Sequence, residues 1–208
     1  MLIPLGKLIL SVAGATALFI CVVALIASLF TGINFFHVIR ALKDILFLAF
    51  STASSEAALP GAMKRLEDLG VPKTIVTFVM PTGYSFNLDG STLYSSAGIL
   101  FIAQLYGIQM PIEQQLLVMV TLMLSTKGIA GVPGAGIIVV AATAAAFNLP
   151  TEGVAILLGI DRLLDMIRTI CNVCGNCMAT VVVACWEKEL NKATFNEKYR
   201  AFLGGKNG

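Results

Sequence analysis

The chain contains 208 residues, of which 57% are hydrophobic and only 12% are charged, and its mean hydropathy is +0.88. A soluble domain carries about 25% charged residues, so this chain has too few polar side chains to cover a globule in water. The composition argues against a soluble enzyme, a disordered chain and a nucleic-acid binder. It predicts a multispan membrane protein without catalytic residues, and the net charge of +2 indicates no charged partner.

The first half of the chain contains a long apolar segment followed by a short, interrupted one. A membrane span is predicted over about 8–36, ending near 32–34, and a polar collar follows it. The next apolar stretch is too short to cross a bilayer and is interrupted by the polar run 51–56. This pattern predicts a first re-entrant hairpin over about 45–70, whose tip must be buried in protein or face water.

The second half repeats this arrangement with weak residue identity. A broken span is predicted over about 74–106, because Pro, Gly, Asn and Asp residues interrupt it between 81 and 91. A second hairpin is predicted over about 112–147 and a last span over about 154–186, and 191–208 is predicted to be a solvated cytoplasmic tail. Corresponding interrupted segments in two halves indicate the binding site of a secondary transporter.

The basic residues predict the orientation of this membrane-embedded transport module, which covers residues 1–190. Lys and Arg flank the first hairpin and follow the last span, whereas the loops at 107–113 and 148–153 contain neither. Because cytoplasmic loops carry an excess of Lys and Arg, the first hairpin and the C-terminus are predicted to be cytoplasmic. The second hairpin then opens outward, and a multi-pass protein of the plasma (inner) membrane is expected.

One face of the last predicted span is polar at a depth where charges are costly. At about 100° per residue, six side chains share this face: Asp161, Asp165, Arg168, Thr169, Asn172 and Asn176. An Arg can bind a carboxylate and an Asp can bind an ammonium, so the face predicts a site for a small zwitterion with an extra charge. A structural Asp–Arg pair that cancels its own charge is the alternative.

Two further segments carry polar groups at depth. The break at 87–91 supplies an Asn, an Asp and unwound carbonyls that suit a hard cation such as Na⁺, or it is a kink whose polar groups satisfy the backbone. The glycines of 128–136 allow backbone N–H groups to approach an anionic substrate. Glu56 and Lys127 lie at the two hairpin tips, where they are interpreted as reaching water, with a gating or proton-binding role as the alternative.

Three cysteines follow the C-x2-C-x2-C spacing of an iron–sulfur ligand run: Cys171, Cys174 and Cys177. No Cys-Pro fourth ligand follows them, and the flanking sequence is typical of a continuous helix. Small apolar residues on a packed membrane helix are therefore the favoured interpretation, and an iron–sulfur membrane protein is the distant alternative.

Four motifs in order over about 50–176 resemble the glutamate transporter family, the dicarboxylate/amino-acid:cation symporters, and most closely its bacterial proton-coupled glutamate–aspartate members. They are STASSEAALP at 51–60, NLDGS at 87–91, GIAGVPG at 128–134, and DRLLDMIRT at 161–169 with NVCGN at 172–176. The resemblance implies the C-terminal half of a longer carrier, with an all-α transport domain built from two re-entrant hairpins and a broken helix. It implies L-glutamate or L-aspartate as substrate, H⁺ or Na⁺ as coupling ion without another cofactor, and a homotrimer formed through a scaffold in the missing half.

The resemblance also implies roles for individual residues. Arg168 corresponds to the residue that holds the side-chain carboxylate of the substrate, and Asp165 to the one that holds its amino group. Further substrate-binding positions are Ser55, Ser91, Val132, Gly136, Thr169 and Asn172. The cation-binding positions, where Na⁺ is possible, are Gly83, Ser85, Asn87, Asp89, Asn172 and Asn176.

Two departures from the sodium-coupled members favour at least partial proton coupling. Asn176 stands where those members commonly carry Asp, and Lys127 begins a segment where they place small or hydroxyl residues. The combination of Asp165 and Arg168 favours acidic amino acids as substrates. A C4-dicarboxylate:cation symporter and a truncated, non-transporting membrane fragment are the alternatives, and the segment alone is not expected to be a competent carrier.

Overall fold

The structure, a computed structural model, describes residues 2–127 and 133–204, and these residues are folded almost entirely into α-helices without a strand. The prediction of an all-α chain is confirmed for this part of the sequence. The helices are α1 (Leu2–Thr31), α2 (Phe35–Ala41), α3 (Lys43–Thr52), α4 (Ser55–Asp68), α5 (Lys73–Phe86), α6 (Asp89–Leu105), α7 (Ile112–Ser125), α8 (Ala135–Ala146), α9 (Glu152–Leu158), α10 (Asp161–Trp186) and α11 (Lys192–Gly204).

Helix α10 lies at the centre of the fold and contacts α1, α3, α4, α5 and α6. A first apolar cluster surrounds its C-terminal half and includes Phe35, Leu66 and Phe195. A second cluster joins α6, α7, α8 and α9 to the start of α1, with Ile99 and Leu157 fully buried. Within the described ranges, α1 from Ile3 onward and α10 are long and apolar enough to cross a membrane.

Two pairs of consecutive helices correspond to the predicted hairpins. The first helix pair is α3 and α4, joined by Ala53 in the left-handed conformation (φ 50°). Ser54 caps α4 by accepting a hydrogen bond from the Ala57 N–H at 3.3 Å. The second helix pair is α7 and α8, whose tip includes residues 128–132 outside the described ranges. Both pairs lie within two residues of the predicted limits.

The segment predicted to be a broken span consists of two helices, and the interruption between them is shorter than the predicted 81–91. Helix α5 continues through Pro81, although proline lacks the backbone N–H that would donate within the helix. Only Asn87 and Leu88 separate α5 from α6. The carbonyl end of α5 therefore faces the amide end of α6 beside α10.

Two predicted boundaries need correction. The first span, expected over about 8–36, is a helix that ends at Thr31, because Gly32 is left-handed (φ 71°) and Asn34 caps α2. The last span, expected over about 154–186, is not one helix, since a turn at 159–160 separates α9 from α10.

The prediction that the tail is solvated needs correction for one face of α11. Phe195 is fully buried, and the Tyr199 ring stacks on the His37 ring at 4.5 Å between centroids. Aromatic side chains four residues apart lie on the same face of a helix, so this face packs onto the body while the charged residues face outward.

Candidate functional site

The polar face of α10 is buried inside the protein. Asp165 and Arg168 form an ion pair three residues apart, and each side chain is only 3% exposed. The other four side chains predicted to share this face are also buried: Asp161, Thr169, Asn172 and Asn176. A buried ion pair is retained only when its desolvation is offset by close partners, and α6 and the second helix pair supply them here.

The first turns of α6 provide the partners on one side. The Ser91 hydroxyl accepts hydrogen bonds from Arg168 Nη1 at 3.4 Å and from Asn172 Nδ2 at 3.1 Å. The Asn172 side-chain oxygen in turn accepts from the backbone N–H of Gly90 at 2.9 Å. A Cβ at Gly90 would lie 2.7 Å from the Cys171 Cβ, so only glycine allows α6 to approach α10 this closely.

The second helix pair provides the partner on the other side. The Gly134 N–H donates to Asp165 Oδ2 at 2.8 Å, and Gly134 adopts a positive φ of 81° that glycine tolerates. Gly136 follows on α8, where an added Cβ would lie 2.8 Å from Arg168 Nη1. A backbone N–H of the glycine-rich tip therefore points at a carboxylate in this site, as expected for groups that bind anions.

Sequence reasoning missed one residue of this cluster, Tyr94. Its hydroxyl donates to Asp161 Oδ1 at 2.5 Å, and the tyrosine is 1% exposed. A buried tyrosine needs a partner for its hydroxyl, and Tyr94 lies one turn after Ser91 on the same face of α6. That spacing was the available signal. The Tyr94 ring also lies against Gly136, so it joins α6, α8 and α10.

Several predicted cation-binding residues meet beside the break between α5 and α6. Asn176 Nδ2 donates to the Asn87 carbonyl at 3.4 Å. The Asn87 amide, oriented to satisfy its neighbours, directs its nitrogen to the Asp89 carboxylate at 2.9 Å. A Cβ at Gly83 would overlap the Asn176 side-chain oxygen. Carbonyl, amide and carboxylate oxygens are the donors that hard cations prefer, so this cluster has the chemistry to hold one.

Other predicted site residues are placed differently. Ser85 is exposed on α5, and the Thr169 hydroxyl donates to the Asp165 carbonyl at 2.7 Å within α10. Ser55 is buried in the first turn of α4, at the tip of the first helix pair. Val132 lies outside the described residues. The roles assigned to these four residues stay predictions, as do those of the other predicted site residues.

The three cysteines of the C-x2-C-x2-C run are buried within uninterrupted α10. Across residues 2–127 and 133–204, no group of three or more His, Cys, Asp or Glu side chains could hold a metal ion. The oxygen cluster at the break has a single carboxylate and two side-chain amides, so it is not a group of three His, Cys, Asp or Glu side chains.

Comparison with known proteins shows what the chain is similar to. It is 54% identical to the proton/sodium-glutamate symport protein of Geobacillus stearothermophilus, over 92% of this chain and 45% of that protein. It is 48% identical to the proton/glutamate-aspartate symporter of Escherichia coli K12, over 97% and 46%. A C4-dicarboxylate transport protein of Burkholderia pseudomallei is 43% identical over 98% and 47%.

The chain thus spans about half the length of the curated relatives that it matches. The family profile described as "Sodium:dicarboxylate symporter family" matches residues 1–186. This match covers α1 to α10, including the polar face of α10 and both helix pairs. The chain therefore belongs to the sodium:dicarboxylate symporter family.

Proposed function

We propose that this chain forms the substrate- and ion-binding part of a carrier that transports L-glutamate or L-aspartate together with H⁺ or Na⁺. The observation that carries the proposal is the buried Asp165–Arg168 pair, bordered by Ser91, Asn172 and the Gly134 N–H. The names of the Geobacillus and Escherichia relatives support the same substrate class.

The two charges of the pair match the two kinds of charge on an acidic amino acid. Arg168 presents a planar fork that suits a carboxylate, and Asp165 suits an ammonium. In this structure the two side chains bind each other. A substrate would replace that contact with two of its own, so both side chains would remain paired in the bound state.

The charge balance also explains why such a site needs a coupling ion. The Asp165–Arg168 pair is neutral, whereas glutamate and aspartate each carry one net negative charge. Burying that charge without a counter-charge is costly. The oxygen cluster formed by Asn87, Asp89 and Asn176 lies further along the same face of α10, where a cation or proton would offset the Asp89 carboxylate and so lower the negative charge around the substrate.

A second candidate substrate, a plain C4-dicarboxylate, is favoured by the Burkholderia relative. Asp165 argues for the amino acid, because a dicarboxylate has no ammonium and would bring two more negative charges beside this buried carboxylate. Competition separates the two candidates. Glutamate should displace labelled aspartate uptake strongly, and succinate should displace it weakly.

The membrane arrangement is part of the proposal. Helices α1 and α10 would span the bilayer, α5 and α6 would form a broken span, and both helix pairs would be re-entrant. The basic residues near α3, α4 and α11 would face the cytoplasm, and residues 1–190 would form the module in the inner membrane. The second helix pair would open outward as a gate, and a homotrimer would form through the remainder of the carrier.

A chimera tests transport directly. This chain replaces the matching 46% of the Escherichia coli symporter, and uptake of labelled L-aspartate is measured in proteoliposomes with Na⁺ and pH gradients varied separately. Arg168→Ala should abolish uptake, because it removes the buried guanidinium of the pair. Arg168→Lys should restore only part of it, because an ammonium lacks the planar fork.

Arg162→Ala is the matched control, since Arg162 lies on the same helix but is exposed. This variant should retain most of the uptake. Equal amounts of folded chimera, checked by gel filtration, exclude a trivial loss of protein. Undiminished uptake by a folded Arg168→Ala chimera would contradict the proposed function.

A further inference from the structure

Lys127 makes an unexpected contact at the break between α5 and α6. It follows the end of α7, and its ammonium donates to the Phe86 carbonyl at 2.5 Å across 41 residues of sequence. Phe86 is the last residue of α5. The side chain is exposed, as expected from the sequence, but it also binds a specific backbone oxygen at the predicted cation region.

The carbonyl end of α5 is a place where positive charge is favoured. The last four carbonyls of a helix lack partners within that helix, and the helix dipole is negative there. Asp89 lies three residues beyond Phe86, and the Lys127 ammonium interacts electrostatically with its carboxylate. A carbonyl end and a carboxylate together attract one positive charge, and Lys127 supplies it.

The neighbouring residue holds Lys127 in place. Thr126 is fully buried, its hydroxyl donates to the Leu122 carbonyl at 2.7 Å, and it lies 2.9 Å from the Thr92 hydroxyl on α6. These contacts attach the end of α7 to α6 directly beside the break. The ammonium therefore reaches Phe86 from a fixed backbone position.

We propose that the Lys127 ammonium is a tethered cation that neutralises the carbonyl end of α5 and thereby determines the coupling ion. A covalently attached ammonium has a high effective concentration at its own site, so a free Na⁺ would have to displace it. The inference rests on the proposed function for its biological meaning. Because Lys127 belongs to the second helix pair, its charge arrives and leaves with that element.

The first test measures Na⁺ binding without requiring transport. The midpoint of thermal unfolding of the purified 208-residue chain in detergent, and of the chimera, is compared in NaCl and in choline chloride of equal concentration. Na⁺ should raise the midpoint of Lys127→Met by about 3 °C or more relative to its effect on the wild-type protein. Lys127→Arg should behave like the wild type, because it keeps the charge.

Lys73→Met is the matched control. Lys73 is an exposed lysine in the first turn of α5, at the end opposite to the carbonyl end that Lys127 contacts. Its response to Na⁺ should equal that of the wild type. An identical Na⁺ response in Lys127→Met, Lys73→Met and the wild type would overturn the inference. The thermal test reads ion binding alone, so it can succeed even if the chimera transports no amino acid.

The second test uses uptake by the chimera. Lys127→Met should lose at least about tenfold of its uptake in Na⁺-free buffer and recover it as Na⁺ is added, as expected when the positive charge at the carbonyl end of α5 is removed and then replaced. Uptake by Lys127→Met that follows the wild-type Na⁺ dependence would also overturn the inference.

Discussion

Each helix pair consists of two consecutive helices, but different contacts hold the two pairs in the protein. In the first pair, alanines at the contact surface are fully buried, including Ala49, Ala58 and Ala62, and both helices contact α10. Small side chains allow helices to approach closely over a long surface. The first pair is therefore part of the core.

The second pair packs mainly on α6 and leaves a large apolar surface uncovered within this chain. Leu124 is 72% exposed and Ile138 is 69% exposed. The described part of its tip makes single polar contacts, namely a Gly134 N–H to Asp165, a hydroxyl contact of Thr126 and the ammonium of Lys127. Each of these contacts is of a kind that a substrate or an ion can replace.

The difference indicates which element is suited to move. An element held by extensive apolar packing separates only with large loss of buried surface, whereas one held by a few polar groups can exchange them for a ligand at little net change. Local opening draws on regions with few buried contacts. The described part of the tip of the second pair meets that description, whereas its helices are anchored in the second apolar cluster by Leu122, Val140 and Ala144. The gating role proposed for the second pair is therefore expected to begin at its tip.

The largest expected effect comes from the residue that both anchors the second pair and neutralises Arg168. Asp165→Ala removes the acceptor of the Gly134 N–H and the carboxylate partner of a buried arginine. Removing one partner of a buried ion pair destabilises by about 3–5 kcal/mol. The apparent free energy of unfolding in mixed micelles should fall by that amount, and amide hydrogen exchange should rise at residues 134–136.

The matching anchor of the first pair is the hydrogen bond from Arg162 to the Thr52 carbonyl at 3.1 Å. Because Arg162 is exposed, Arg162→Ala should cost less than about 1 kcal/mol. The double variant Asp165→Ala/Arg168→Met should recover part of the lost stability, since neither charge of the buried pair remains. Equal destabilisation by Asp165→Ala and Arg162→Ala would break the comparison between the pairs.

Much of this architecture is predictable because its signals are local. Interruptions by Gly, Pro and polar residues within apolar segments mark both helix pairs and the break at Asn87. The polar face of α10 follows from helical periodicity alone, and all six of its members are buried. These features depend on residues close together in sequence, so one chain suffices to find them.

What sequence reasoning missed depends on contacts between distant segments. The Tyr94–Asp161 hydrogen bond joins residues 67 positions apart, and the Lys127–Phe86 contact joins residues 41 apart. Neither follows from periodicity. For α11, the prediction of a solvated tail relied on the charged composition of the segment. The spacing of Phe195 and Tyr199, one helical turn apart, indicates the face that is buried. Charge on one face of a helix does not show that the other face is solvated.

An intermediate effect is expected from one glycine in each pair. An added Cβ at Gly136 in the second pair would lie 2.9 Å from the Tyr94 ring and 2.8 Å from Arg168 Nη1. Tyr94 is buried and Arg168 is held by Asp165, so neither can move without breaking a contact. Overpacking of this kind costs about 1–3 kcal/mol. Gly136→Ala should also weaken aspartate binding, measured by isothermal titration on the chimera.

Gly61 is the counterpart in the first pair, where an added Cβ would meet Ile45 at an ordinary 3.6 Å. Gly61 lies within α4, so Gly61→Ala should stabilise the protein by about 0.4–1 kcal/mol through reduced freedom of the unfolded chain. Aspartate binding should stay unchanged. A Gly61→Ala variant that loses binding as strongly as Gly136→Ala would show that the first pair also reshapes the site.

The smallest expected effects come from single hydrogen bonds at the two tips, and they differ in which helices become less protected from hydrogen exchange. Ser54→Ala removes the cap of α4 and should lower the free energy of unfolding by about 1 kcal/mol. This loss should be seen in global unfolding, because the first pair unfolds with the core. Thr126→Val removes the hydroxyl contact to Thr92, whose own hydroxyl can then donate to the Leu88 carbonyl at 3.3 Å. Its cost is also about 1 kcal/mol, but hydrogen exchange should rise only in α7 and α8. If Thr126→Val instead raises exchange across α3, α4 and α10, the second pair unfolds with the core and cannot open by itself.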